Sequence, residues 1–230
     1  MAYILHIETT STICSVAVSE NDTLLAIKEQ NNGYTHAENL HLFIEETLNA
    51  ANIRLKQLSA VSVSKGPGSY TGLRIGHSSA KGLCYALNIP LIAIDTLKAL
   101  AFMATETTSL PLNTLFCPMI DARRMEVYMA IYNQKLEIIR DPEAMIIDKN
   151  NLSSLFENQP TICFFGDGME KCKPLIAECI IHSAFIESIL PSSRALISLA
   201  YQKFVSKQFE DVAYSEPFYL KNVYFVNNAT

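Results

Sequence analysis

Three glycines and a proline stand together in Lys65-Gly66-Pro67-Gly68-Ser69-Tyr70-Thr71-Gly72-Leu73-Arg74, directly after the alternating run Ala60–Ser64. Such a passage turns a strand sharply into a helix and presents N–H groups at the helix start, the kind of place where an anion binds. The pattern is neither the Gly-Lys-[Ser/Thr] phosphate loop nor Gly-x-Gly-x-x-Gly, and close packing of the chain accounts for the glycines equally well. Upstream, Glu8-Thr9-Thr10-Ser11 closes the first apolar run. A carboxylate beside three hydroxyls could hold a hydrated metal ion or a phosphate there, although the same residues are ordinary turn formers.

Other chemistries find less support. The five histidines are His6, His36, His41, His77 and His182. At ~100° per residue, His36 and His41 point about 140° apart on a helix and cannot clamp one ion. No Gly-x-Ser-x-Gly elbow marks a serine nucleophile. Asp121, Arg123, Arg124 and Glu126 form a charge cluster that reads as a solvated turn. Six cysteines are scattered, without Cys-x-x-Cys spacing, as expected of buried free thiols in a reducing cytoplasm. These residues argue for no catalytic group and no bound metal.

The elements that must position the glycine-rich turn are legible as hydrophobic patterns. Short runs at Tyr3–Glu8, Cys14–Ser19 and Thr23–Glu29, joined by polar turns, read as antiparallel hairpins. A helix follows, opened by a Thr35/Glu38 capping box and lined by Leu40, Ile44, Leu48 and Ala51. After strand Ala60–Ser64, a second helix from about Thr71 ends at Asn88, where Pro90 forbids continuation. Strand Pro90–Ile94 and a helix from Asp95 or Thr96 complete a β-β-β-α-β-α-β-α order, a mixed sheet with helices on both faces. Beyond a boundary at Thr105–Asn113, a less regular second lobe offers strands at Thr114–Ile120, Glu126–Tyr132, Leu136–Arg140 and Thr161–Phe165, and a helix over Ser193–Phe209. The expected division is 1–105 and 106–230, the last segment packing back on the first lobe.

Along the second helix, Gly72, Gly76 and Ala80 recur every four residues and offer another helix a close approach. Periodicity leaves open whether that helix belongs to the same chain. The formal charge of −5 at pH 7 excludes a protein that grips nucleic acid by itself. No apolar run is long enough to span a bilayer, and Met1–Glu8 reads as a strand, not a signal peptide.

Taken in order, several motifs resemble one family. Residues 65–76 with Ala80-Lys81-Gly82-Leu83, Ile7-Glu8-Thr9-Thr10-Ser11, His36-Ala37-Glu38-Asn39-Leu40, Asp121-Ala122-Arg123-Arg124-Met125-Glu126-Val127-Tyr128, Gly166-Asp167-Gly168 and Pro217-Phe218-Tyr219-Leu220-Lys221 are similar to blocks of the TsaB family, also known as YeaZ. The resemblance spans nearly the whole chain. It implies an α/β fold of the actin, sugar-kinase and heat-shock ATPase superfamily, with two ribonuclease-H-like lobes, the second reduced. It also implies a non-catalytic scaffold in the transfer of threonylcarbamoyl to adenosine 37 of tRNAs that read codons beginning with A. Implied partners are a TsaD-type transferase subunit and a TsaE-type ATPase, with a homodimer when alone and tRNA met only through the complex. The resemblance implies a cytoplasmic protein without a cofactor. The interface it implies comprises Thr35, His36, Leu40, Ile44, Gly72, Leu73, Gly76, His77 and Ala80, and Gly76→Leu is expected to weaken association while leaving the lobe folded. Glu8, Thr9, Thr10, Ser11, Gly68 and Ser69 would lie nearest any nucleotide. Glu8 stands where most relatives carry Asp, and its extra methylene would push a carboxylate into the space of a nucleotide-bound metal. A small-molecule kinase or ATPase of the same superfamily is the alternative.

Overall fold

A computed structural model describes residues 1–33, 35–107, 110–111, 113–156 and 160–221. Part of the expected boundary at 105–113 lies outside the described residues.

Strands β1 (Tyr3–Glu8), β2 (Cys14–Glu20) and β3 (Thr23–Gln30) form an antiparallel meander. Helix α1 (His36–Ala50) leads to β4 (Leu58–Gly66), which pairs parallel with β1. Helix α2 (Tyr70–Leu87) leads to β5 (Leu91–Asp95), parallel to β4. The sheet order is therefore β3-β2-β1-β4-β5.

After α3 (Thr96–Thr107) the same path is traced again. Strands β6 (Leu115–Asp121), β7 (Glu126–Tyr132) and β8 (Ile138–Ile146) meander; β9 (Ile162–Phe165) and β10 (Ser183–Ile186) add in parallel, giving β10-β9-β6-β7-β8. The second lobe thus keeps all five strands. Its reduction lies in the helices, 8, 11 and 9 residues for α4 (Lys149–Phe156), α5 (Met169–Cys179) and α6 (Ile197–Val205).

Alternation along the strands sorts the layers. Leu5, Ile7, Val16, Val18, Val61 and Val63 face α1 and α2. Ile4, Ala60, Ile92 and Ile94 face the opposite way, onto Ala99 of α3 and onto Leu196, Leu199 and Ala200 at the start of α6. The other side of α3, through Leu97, Leu100 and Ala104, packs on Phe116, Ala130, Tyr132 and Phe165 of the second sheet. The far face of that sheet meets α5 at Met169, Cys172 and Ile176. Helix α3 is therefore the layer shared by both sheets.

Three local expectations need correction. Thr35 makes no side-chain cap; its Oγ1 instead accepts from Asn39 Nδ2 at 2.8 Å, so no capping box forms. The helix expected to reach Phe209 stops at Val205, because Lys207 takes a left-handed φ of 55° and folds Phe209 back, its ring 5.9 Å from that of Phe204. The strand expected over Leu136–Arg140 begins at Ile138 and runs on to Ile146, with Leu136 left-handed in the turn before it.

Candidate functional site

A cleft of about 400 Å³ opens between the two sheets and is lined from both. The first lobe contributes the β1–β2 turn, Thr10, Ser11 and Thr12, and the glycine-rich turn from Pro67 to Thr71. The second contributes the β6–β7 turn, Asp121, Ala122 and Arg123, with Tyr128 and Asp167; Phe218 to Lys221 close one side.

The two halves are built alike. In the first, the turn after β4 packs against the end of β1: a β-carbon on Gly68 would lie 2.5 Å from Thr10 O, and one on Gly72 only 2.0 Å from Thr9 O. Ser69 N–H donates to Thr10 O at 2.7 Å, and Thr9 Oγ1 donates to Gly72 O at 2.8 Å. In the second, the turn after β9 packs against the end of β6: a β-carbon on Gly166 would meet Met119 O at 2.3 Å, and one on Gly168 would meet Asp121 N at 2.9 Å. The glycines are therefore first of all close-packing residues, and the Ser69 N–H is already taken. The Asp121–Arg124 turn occupies in the second lobe the place that Glu8–Ser11 occupies in the first.

Of the residues expected nearest a nucleotide, Thr10, Ser11, Gly68 and Ser69 line the cleft; Glu8 and Thr9 do not. Glu8 is buried, and its carboxylate accepts from Thr10 N–H at 2.6 Å, from Thr10 Oγ1 and from Ser64 Oγ. The extra methylene thus turns the group back onto β4 rather than outward into a metal's space. Burial raises its pKa against the opposing effect of these hydrogen bonds. Behind it, neutral His6 bridges Ser62 Oγ at 2.7 Å and Ser19 Oγ at 2.8 Å, its pKa driven down to about 3 by burial.

On the opposite wall, burial raises the Asp167 carboxyl to about 6, with the Asp121 and Glu8 charges adding to the shift. Asp167 Oδ1 accepts from Asp121 N–H at 3.2 Å, and Asp121 pairs with Lys171. Arg123 and Arg124 both adopt left-handed backbone, φ 71° and 48°, and their side chains are exposed. Among the described residues no group of three or more His, Cys, Asp or Glu is arranged to hold a metal ion.

The residues expected at a partner face are mostly turned inward. His36, Leu40 and Ile44 of α1, and Gly72, Leu73, Gly76, His77 and Ala80 of α2, are all buried within the chain. A β-carbon on Gly76 would lie 2.3 Å from Thr9 Oγ1, so the four-residue stripe admits the chain's own first strand, not a partner. Gly76→Leu would consequently damage the lobe, against the expectation that it stays folded. The exposed crest of α2 carries Thr71, Ser78, Gly82 and Ala86, a third of a turn away; on α1, His41, Leu42 and Glu45 are exposed.

Asp121, Arg123 and Asp167 were legible only as a charged turn and a family block, and Tyr70, Tyr128 and the Phe218–Lys221 wall carried no chemical signal of their own. The repeated strand order would have found the Asp121 turn, but it is a repeat of topology rather than of residues.

The chain resembles known proteins along most of its length. Residues 32–215 match the family model described as TsaD, tRNA N6-adenosine threonylcarbamoyltransferase. It is 30% identical over 187 residues to the tRNA threonylcarbamoyladenosine biosynthesis protein TsaB of Bacillus subtilis, covering 80% of this chain and 79% of that one. The structure of YeaZ from Pseudomonas aeruginosa superimposes with a TM-score of 0.79 at 24% identity, over 96% of this chain and 100% of that one. An activator of 2-hydroxyisocaproyl-CoA dehydratase from Clostridium difficile, solved with bound ADPNP, shares the fold at a TM-score of 0.52 and 9% identity, over 91% of this chain and 98% of that one. The two-lobed fold is that of the actin, sugar-kinase and heat-shock ATPase superfamily.

Proposed function

Because the chain belongs to the TsaB (YeaZ) family, we propose that it serves threonylcarbamoyladenosine biosynthesis as a non-catalytic subunit, supporting transfer of threonylcarbamoyl to adenosine 37 of tRNAs that read codons beginning with A. The observation that carries the non-catalytic part is Glu8. Its carboxylate, at the end of β1, is buried outside the cleft lining and spent on Thr10 and Ser64, so it offers nothing to a substrate. The chain is on this reading a degenerate paralogue of its transferase partner, with 1–105 and 106–230 as its lobes.

Partners are a TsaD-type transferase subunit and a TsaE-type ATPase, and a second copy of the chain takes the transferase's place when the chain is alone. The contact is the crest formed by Thr71, Ser78 and Gly82 of α2 with His41 and Leu42 of α1; Leu42 is 50% exposed. Small side chains on the crest let a partner helix approach closely. With a net charge of −5, the chain meets tRNA through its partners. No helix among the described residues is long and apolar enough to cross a membrane, and the proposed workplace is the cytoplasm.

Gly82→Leu is the test, since nothing lies within 4 Å of a β-carbon there. The variant should melt no lower than the parent yet lose co-purification with the cognate TsaD-type subunit and run as a monomer in light scattering. Unchanged association would remove the crest from the assembly; failure of the parent itself to bind the transferase subunit would remove the scaffold reading. The alternative, a small-molecule kinase or ATPase, rests on the cleft between the lobes. It predicts magnesium-dependent ATP binding to the isolated chain by calorimetry, and heat-free titrations would dismiss it.

A further inference from the structure

Beyond α6 the chain runs back across the molecule as a segment without helix or strand, with a turn at 212–214. Glu210 N–H donates to Leu91 O at 2.9 Å at the edge of β5, and Val212 packs against the first core. Along one flank of α2, Lys81 Nζ donates to the carbonyls of Ala213 and Ser215, both at 3.0 Å, and His77 Nε2 lies 3.0 Å from Ser215 Oγ. Over the glycine-rich turn, Phe218 N–H donates to Lys65 O at 2.6 Å. The Tyr219 ring stands 5.1 Å from that of Tyr70, whose face is covered by the Arg74 guanidinium at 4.2 Å. The segment then reaches the second sheet, where Lys221 pairs with Glu126 at the start of β7.

This path joins both lobes and walls the cleft with Phe218 to Lys221, yet none of residues 211–221 is buried. A segment held by surface contacts opens at far lower cost than the sheets beneath it. Its contacts are also graded. The partly exposed ion pair at Lys221 is the weakest of these links, the Tyr219–Tyr70 pair is stronger, and Val212 with the Lys81 carbonyl bonds anchors the other end. We propose that residues 211–221 are a hinged strap that gates the cleft between the lobes, opening from its Lys221 end. With the strap lifted, the hydroxyls of Thr10 and Ser11, buried in the closed form, become reachable by a polar ligand entering the cleft. The inference is independent of the assembly proposed above.

Hydrogen exchange of the full chain, read by mass spectrometry, tests it directly. Amides of residues 218–221 should exchange at least about a hundredfold faster than those of β7. Glu126→Gln should accelerate them about two- to fivefold, and Tyr219→Ala about tenfold, with exchange in α2 and β7 unchanged. In parallel, maleimide labelling of Ser11→Cys, corrected for the parent's own cysteines, should quicken by matching factors when either substitution is added. Strap amides as protected as β7 would overturn the proposal. So would substitutions that speed α2 and β7 equally, since that pattern marks global loosening, and so would thiol labelling indifferent to the strap. Should Ser11→Cys not fold, the exchange comparison decides alone.

Discussion

At Gly72 a β-carbon would lie 2.0 Å from Thr9 O, whereas at Gly82, ten residues along the same helix, it would meet nothing within 4 Å. The two glycines therefore answer oppositely to one methyl group. Gly72→Ala forces backbone apart and should cost about 2–3 kcal/mol in urea unfolding; Gly82→Ala should add about 0.5–1 kcal/mol by restricting the unfolded chain and favouring helix. Equal effects would contradict the packing described for β1. Asp167 provides a pH test. Its carboxyl is raised from the ordinary 3.8 to about 6, chiefly by burial, so the folded state holds a proton that the unfolded chain releases between those values. Stability should then fall as pH rises from about 4 to 6 and stay lower above it. Asp167→Asn, whose side-chain oxygen still accepts from Asp121 N–H, should raise the urea midpoint at pH 7 and flatten that decline, with no gain below pH 4.

Among the elements, α2 shows how far a helix can be read without its neighbours. Its start, end and small-residue stripe follow from Ser69, whose Oγ accepts from Gly72 N–H at 3.3 Å, and from Asn88, which takes the left-handed C-terminal position. The stripe by itself reads as a site where another helix comes close. What approaches is the end of the chain's own first strand, because the Thr9 and Thr10 that follow β1 must pass under the helix to form the turn into β2. Helix α6 makes the complementary point: last of the described helices, it covers the first sheet. Leu196, fully buried where α6 begins, packs with Ile4 and Ile92. Leu196→Ala should cost about 2–5 kcal/mol through the lost contacts and the cavity left behind, and should speed hydrogen exchange in β1 and β4. Faster exchange confined to β9 and β10 would show that α6 belongs to the second sheet instead.

For the whole molecule, α3 matters most, since one side of it lies in the core of each sheet. If the lobes part, the second sheet and the Leu97, Leu100 and Ala104 side of α3 are left bare, so the lobes should unfold together. Calorimetry should give one transition with matching calorimetric and van't Hoff enthalpies. Phe116→Ala in the second sheet should lower the melting of amides in β1 as well as in β6. Two separable transitions would mean that each lobe holds a sufficient core without α3.

By itself the sequence determined the element order, the mixed first sheet, the glycine-rich turn and the family, because hydrophobic period, caps and turn residues act over a few neighbouring positions. Even the Ala60–Ser64 strand and the stop at Asn88 are local facts of this kind. Only the tertiary structure decided which way the small face of α2 points, where the Glu8 carboxylate goes, and that Asp121, Asp167 and Phe218 share a cleft with Thr10. Those outcomes depend on contacts between residues that lie far apart in the chain, Ser64 with Glu8 and Lys65 with Phe218 among them. The glycine-rich turn was visible as a place of close approach; the fold alone revealed that its occupant is the chain itself.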